Sequence, residues 1–262
     1  MFDGGKRVLT GENERIKHNK RIEKMEGILY GIGVGPGDPD CLTLGAVRKI
    51  EESDLLLLPQ EKEKCYAYRI VKQAAAVGEK ETIVLSFPMT KEKAVLEQAM
   101  EENAKVVCDL LMQGKTLAFL TIGDPSVYAT YMYLHKRVQE LGGKAQMISG
   151  VPSFCAVAAK LGISLGEQEE EIHVIPASYE ISHVMAYQGT RIYMKAGRKL
   201  EELCEMLASE QKERGKQGEE LQVYAVSNCG LPGEKVMYGL EELKSGSYLT
   251  VVIVKNVKKM SR

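Results

Sequence analysis

The sequence predicts an α/β protein with two domains, and three observations carry that prediction. The chain has 262 residues, which at roughly 150 residues per domain falls between one domain and two. Up to Gly150, five apolar, β-rich segments alternate with helix-like stretches, the pattern of a parallel sheet with crossover helices. Beyond Gly150 a second set of strand candidates follows, separated by polar helical stretches.

The elements are assigned in chain order. Residues 1–26 carry charge without an apolar run and are read as a flexible N-terminal tail or a misassigned start, because Met25-Glu26 immediately precedes the first strand. The first set of strands is Ile28-Val34, Asp54-Leu58, Thr82-Phe87, Thr116-Thr121 and Ala145-Ser149. The clearest helix runs from Glu92 to Met112, where Val95, Ala99, Val106, Leu110 and Leu111 recur at helical spacing and Gly114 supplies a stop. The second set of strands is Ile172-Pro176, Thr190-Met194, Gln222-Ser227 and Tyr248-Lys255, with a helical stretch at Lys199-Ala208. The charged, Gly-interrupted segment Glu210-Glu220 is read as an exposed loop with no chemistry. The domains are therefore set at 27–149, with a parallel sheet, and 150–262, with a mixed sheet.

Composition narrows the function. Thirty-five Lys and Arg stand against thirty-six Asp and Glu, a formal net charge of -1, so nothing global attracts the chain to nucleic acid or an anionic membrane. Apolar runs such as Leu55-Leu58 and Leu249-Val254 fall short of the roughly 20 residues a membrane helix needs. Cys41, Cys65, Cys108, Cys155, Cys204 and Cys229 form no C-x-x-C pair, and His18, His135, His173 and His183 are dispersed. These features predict reduced packing thiols in a cytoplasmic protein without a bound metal.

Three segments carry chemistry. Tyr30-Gly-Ile-Gly-Val-Gly-Pro-Gly-Asp38 follows an apolar strand and precedes a helix opening near Thr43. Its glycines admit close approach of a ligand to the backbone. The dinucleotide fingerprint fails in both frames, at Pro36 and at Asp38, and no Gly-Lys-Ser/Thr follows. A tight strand-to-helix turn explains the same glycines without a ligand. Thr121-Ile-Gly-Asp-Pro-Ser-Val-Tyr128 lies where a second strand ends, and Asp124 as N-cap with Pro125 at the first helical position accounts equally well for it. Ser149-Gly-Val-Pro-Ser-Phe154 is the third, with small residues suited either to helix packing or to a flat ligand. Loops after successive strands gather at the carboxyl edge of a parallel sheet, where open α/β sheets place their ligands.

At these residues the sequence resembles the tetrapyrrole methylases, from Gly27 to about Val254. The resemblance is carried by GIGVGPGDPDCLTLGAVRKIEESD, IGDPSVYATY, SGVPSFCAVAAKLG, the Tyr193-Met194-Lys195 turn and SNCGLPGEKV. It implies two αβα domains with a ligand cleft between them, a homodimer, and S-adenosylmethionine as donor of a methyl group to a carbon of a tetrapyrrole. Within the family, IGDPSVYATY and SGVPSFCA look like the members that methylate C-20 of precorrin-2 or cobalt-factor II in cobalamin biosynthesis. Thr130 stands where uroporphyrinogen methylases usually carry Arg. Carried over by position, the donor contacts are Pro36, Gly123, Asp124, Val127, Pro152, Ser153 and Met194, with backbone near Cys229 and Thr250. Asp124 would serve as polar anchor and Met194 as an apolar wall.

A sulfonium is already an activated methyl donor, so alignment is the enzyme's main task. Asp38, Tyr128 and Tyr131 are the candidates for assisting proton loss, and Arg69, Lys160, Lys195 and Arg198 for pairing with substrate carboxylates. Competing readings are another tetrapyrrole methylase acting on uroporphyrinogen III or precorrin-4, a nicotinamide-dependent oxidoreductase, and a non-catalytic corrinoid carrier.

Overall fold

A computed structural model describes residues 25–90, 92–216 and 218–258. All but Met25 and Glu26 of the expected N-terminal tail lies outside the described residues. The chain divides into two compact units: the first holds the described residues to Gly35 and Pro39–Gly150, the second Pro36–Asp38 and the described residues from Val151 onward.

The first unit is a sheet of β1 (Ile28–Gly33), β2 (Leu55–Leu58), β3 (Glu81–Val84), β4 (Thr116–Thr121) and β5 (Lys144–Ile148), ordered β3-β2-β4-β1-β5 and parallel throughout. Its crossovers carry helices α1 (Leu44–Glu52), α2 (Tyr66–Ala74), α3 (Lys93–Met112) and α4 (Tyr131–Glu140). Coverage on both faces explains why β2 is four leucines, all buried. Leu55 and Leu57 join Leu29, Leu117, Phe119, Val107 and Leu111 in one core, and Leu56 and Leu58 alternate onto the opposite face.

Helix α3 forms where expected, and its inward face keeps Leu111 of the expected stripe but not Val95 or Val106. The buried stripe is Asn103, Ala104, Val107, Cys108 and Leu111, whereas Val95 and Val106 are exposed. The buried stripe keeps helical spacing but recruits Asn103, whose side-chain amide bonds both the N–H and the C=O of Ser86.

The second unit is a mixed sheet of β6 (Ile172–Pro176), β7 (Thr190–Met194), β8 (Glu219–Ser227), β9 (Lys235–Tyr238) and β10 (Thr250–Lys258), ordered β6-β7-β10-β8-β9. Only β6 and β7 are parallel. Helix α5 (Ser153–Leu161) packs against β8 and β10, and α6 (Leu200–Lys216) against β8. Strand β9 was not expected; four residues paired to β8 give too short a pattern to read.

The segment Glu210-Glu220 corrects the sequence reading. It is not a loop: α6 continues to Lys216 and β8 begins at Glu219. Nor is it idle. Arg191, fully buried in β7, donates from both terminal nitrogens to Glu210, each at 2.8 Å. Glu210 also accepts from Arg214 at 2.6 Å, and Arg214 reaches Glu219 at 2.7 Å. A buried guanidinium requires a carboxylate, so Glu210 turns inward with Arg214 and Glu219, while Lys212, Glu213, Lys216 and Glu220 stay exposed as expected.

Candidate functional site

The three chemistry-bearing segments do gather in part at one edge. In the order β4-β1-β5, the carboxyl ends of three neighbouring strands bring Gly33, Gly123 and Gly150 together. A Cβ on Gly33 would lie 2.5 Å from the Gly123 oxygen and 2.6 Å from the Gly150 nitrogen, and one on Gly150 would lie 2.3 Å from the Gly123 oxygen. Gly35, at φ +75°, exchanges two backbone hydrogen bonds with Gly123, of 2.7 and 3.3 Å. The glycines thus let backbone approach backbone; their need is met inside the protein.

Asp124 locks this junction. It is 8% exposed. Its Oδ2 accepts the Gly150 N–H at 3.0 Å, and its Oδ1 accepts the N–H of Ser126 at 2.8 Å together with the Ser126 hydroxyl. The expectation that Asp124 caps a helix with Pro125 at its first position is corrected: residues 125–130 form turns and α4 begins at Tyr131. The carboxylate closes an Asx turn and ties the loop after β4 to the loop after β5. Thr43 does cap α1, accepting the Ala46 N–H at 3.1 Å, and its hydroxyl donates to the Ser149 carbonyl at 3.3 Å.

Tyr131 is engaged inside the first unit. It is fully buried, with its ring stacked over Gly31, where a Cβ would lie 2.0 Å from a ring carbon. Its hydroxyl donates to the Gln146 carbonyl at 2.8 Å and meets His135 Nδ1 at 2.9 Å. Burial drives its phenol well above the ordinary tyrosine range. Tyr128 differs: it is 46% exposed, in a left-handed conformation at φ +48°. Val127 beside it is half-buried.

In the second unit, Pro36 and Gly37 are buried and Asp38 is exposed. This short segment lies on the loop after β8, where a Cβ on Gly37 would stand 2.5 Å from the Cys229 oxygen and one on Gly230 2.4 Å from the Asp38 nitrogen. Register places Met194 at the end of β7 and Thr250 at the start of β10, opposite Ser227 at the end of β8, all on one sheet edge. Met194 is buried, and Thr250 is fully so, its hydroxyl bonded to Ser227 at 3.0 Å and to the Ser247 carbonyl at 2.7 Å. Pro152 and Ser153 open α5, half-buried.

Of the expected cationic partners, Arg69 lies in the first unit and Lys160, Lys195 and Arg198 in the second. Arg69 stacks on Tyr66 of α2 at 4.4 Å, and Arg198 on Tyr248 at 5.2 Å. Lys160, on α5, pairs with Glu234 at 3.1 Å. Lys195 is half-buried in a left-handed conformation at φ +57°, and burial lowers the pKa of its ammonium. Sequence reasoning quoted SNCGLPGEKV but gave Glu234 no role, because its partners, the Gly230 N–H and Lys160, are set by the fold.

Residues 28–244 match the model of the tetrapyrrole (corrin/porphyrin) methylases. The chain belongs to that family. One relative of this methylase is the probable cobalt-precorrin-2 C(20)-methyltransferase of Methanocaldococcus jannaschii, 31% identical over 92% of the chain and the whole of the relative. Another is the cobalt-precorrin-2 C(20)-methyltransferase of Salmonella typhimurium, 27% identical over 88% of the chain and 97% of the relative. Among solved structures, the uroporphyrin-III C-methyltransferase of Thermus thermophilus complexed with S-adenosylhomocysteine superposes with a TM-score of 0.62, at 16% identity, over 87% of this methylase and 97% of that chain. At that identity the likeness is one of fold. Among the described residues no helix is long and apolar enough to cross a membrane.

Proposed function

We propose that this methylase transfers a methyl group from S-adenosylmethionine to C-20 of precorrin-2 or its cobalt form, within cobalamin biosynthesis. The observation that carries the reading is the end-to-end match to a relative bearing that name. It acts, in this reading, as a cytoplasmic homodimer on a free tetrapyrrole, with no nucleic-acid or membrane partner.

The chemistry of the available groups suits the donor. The proposed contacts are Gly123, Asp124 and Val127 of the first unit and Pro36, Pro152, Ser153, Met194, Cys229 and Thr250 of the second. They offer backbone groups and small or apolar side chains, as a purine and a ribose require. S-adenosylmethionine supplies an electrophilic methyl group, so the protein's residues have alignment and water exclusion as their work. The Asp124 clamp on Gly150 and Ser126 fixes the junction backbone in advance, and the alignment of donor methyl and ring carbon that the whole site provides is the step worth roughly 7–11 kcal/mol of a barrier. Buried Met194 keeps water from its sheet edge. Of the candidates for proton removal, Asp38 and Tyr128 are exposed and remain in place, whereas Tyr131 is withdrawn. Lys160, Lys195, Arg69 and Arg198 are assigned to the substrate's acetate and propionate carboxylates.

The test is anaerobic turnover of precorrin-2 and of its cobalt form with S-adenosylmethionine, read by mass spectrometry. A product heavier by one methyl group, with equimolar S-adenosylhomocysteine, is expected. Turnover of uroporphyrinogen III alone would move the protein to another branch of the family.

A further inference from the structure

We propose that Glu234 is a positioning residue for the methyl donor, holding the loop 228–234 in the shape that seats Pro36–Asp38. This rests on the donor contacts assigned above to Pro36 and Cys229. Glu234 Oε2 accepts the Gly230 N–H at 2.7 Å, and its Oε1 meets Lys160 Nζ at 3.1 Å. One carboxylate thereby joins a loop amide to helix α5.

The loop needs such a clamp. Asn228, Gly230 and Gly233 all adopt left-handed conformations, at φ +53°, +73° and +79°, and for a non-glycine residue such as Asn228 that conformation carries strain. The base of the loop is fixed independently: Asn228 Oδ1 accepts from the Ser247 hydroxyl, and its N–H bonds the Leu249 carbonyl at 3.2 Å. Its tip is held by Glu234, by two turn bonds, Leu231 N–H to the Asn228 carbonyl at 2.8 Å and Glu234 N–H to the Leu231 carbonyl at 3.1 Å, and by a long bond from Asn228 Nδ2 to the Gly233 carbonyl at 3.4 Å. The tip also makes the closest approach to the glycine-rich segment, because Gly230 and Gly37 leave no room for a Cβ between the two backbones. The Gly230 amide and the Lys160 ammonium hold the Glu234 carboxyl below its ordinary range, against the effect of burial, so it is ionised and accepts both bonds at neutral pH.

Loss of the clamp lets the tip leave the segment, and the apparent donor affinity falls by the fraction of molecules that remain seated. The chemical step is untouched once donor and substrate are bound. Glu234→Ala and Glu234→Asp cannot reach Gly230, whereas Glu234→Gln keeps an acceptor for its amide and gives up only the charge.

Isothermal titration of the full chain with S-adenosylhomocysteine, joined to steady-state kinetics, tests the inference. Glu234→Ala and Glu234→Asp are expected to weaken S-adenosylhomocysteine by about tenfold, to raise KM for the donor in step, and to keep kcat within about twofold. Glu234→Gln is expected to recover most of the affinity. Affinity within about twofold of the parent in the Ala or Asp variant, or a loss as large in Gln as in Ala, overturns the proposal. So does a fall in kcat at unchanged KM. Absence of binding by the parent chain itself refutes the donor contacts first, and is thereby distinguished. If Glu234→Ala does not fold, the comparison of Glu234→Asp with Glu234→Gln decides.

Discussion

Asp124 shows how one side chain can replace what three glycines cannot supply. The glycines permit three backbones to meet; Gly35 and Gly123 bond each other directly, and the carboxylate ties Gly150 to the loop after β4. Asp124→Ala leaves the buried Gly150 amide without its acceptor, whereas the exposed Ser126 amide can turn to water. A cost of about 1–3 kcal/mol in unfolding free energy is expected, with S-adenosylhomocysteine bound more weakly by about tenfold. Urea denaturation and calorimetry check the two, and a variant with unchanged stability and unchanged affinity would remove Asp124 from the site. His135, 8% exposed against Tyr131, gives a pH prediction. Burial lowers its folded pKa, so the unfolded chain takes up a proton first as pH falls below about 6.5. Its contribution to stability is therefore complete above that pH and is lost as pH falls through the lowered folded value. Denaturation midpoints measured from neutral to mildly acidic pH should decline, and His135→Phe should flatten that decline.

At the level of elements, the strands of the parallel sheet are written plainly in the sequence. Each is a short run bounded by turn residues, and β4 takes the expected limits, as do β6 and β7 of the mixed sheet. What the sequence hides is long-range pairing. Nothing local marks Arg191 in β7 as the partner of Glu210, and without that partner a charged run such as Glu210-Glu220 reads as solvated. Glu210→Ala strands the buried Arg191 and is expected to cost about 3–5 kcal/mol. Lys216→Ala, whose Glu213 partner is solvent-exposed, is expected to change stability by less than about 0.5 kcal/mol. Thermal unfolding of the two variants side by side reads the difference, and equal midpoints would refute the inward role of this segment.

For the molecule as a whole, the gathering of loops at the edge of the parallel sheet was legible because strand order and parallelism place carboxyl ends together. The glycine pattern was legible too, though its cause was not: spacing cannot tell a glycine that admits a ligand from one that admits another strand's backbone, as at Gly33 and Gly150. The surroundings of Tyr131 were hidden for a related reason, since a tyrosine after such a motif reads the same in sequence whether its hydroxyl is open or meets the Gln146 carbonyl. The central claim concerns one carbon. Anaerobic incubation of the protein with precorrin-2, or its cobalt form, and S-adenosylmethionine labelled with carbon-13 in its methyl group, followed by carbon NMR of the product, reads that carbon directly. A single enriched methyl resonance coupled to C-20 is the predicted result. Enrichment at any other ring carbon, or none while S-adenosylhomocysteine is bound, would contradict it.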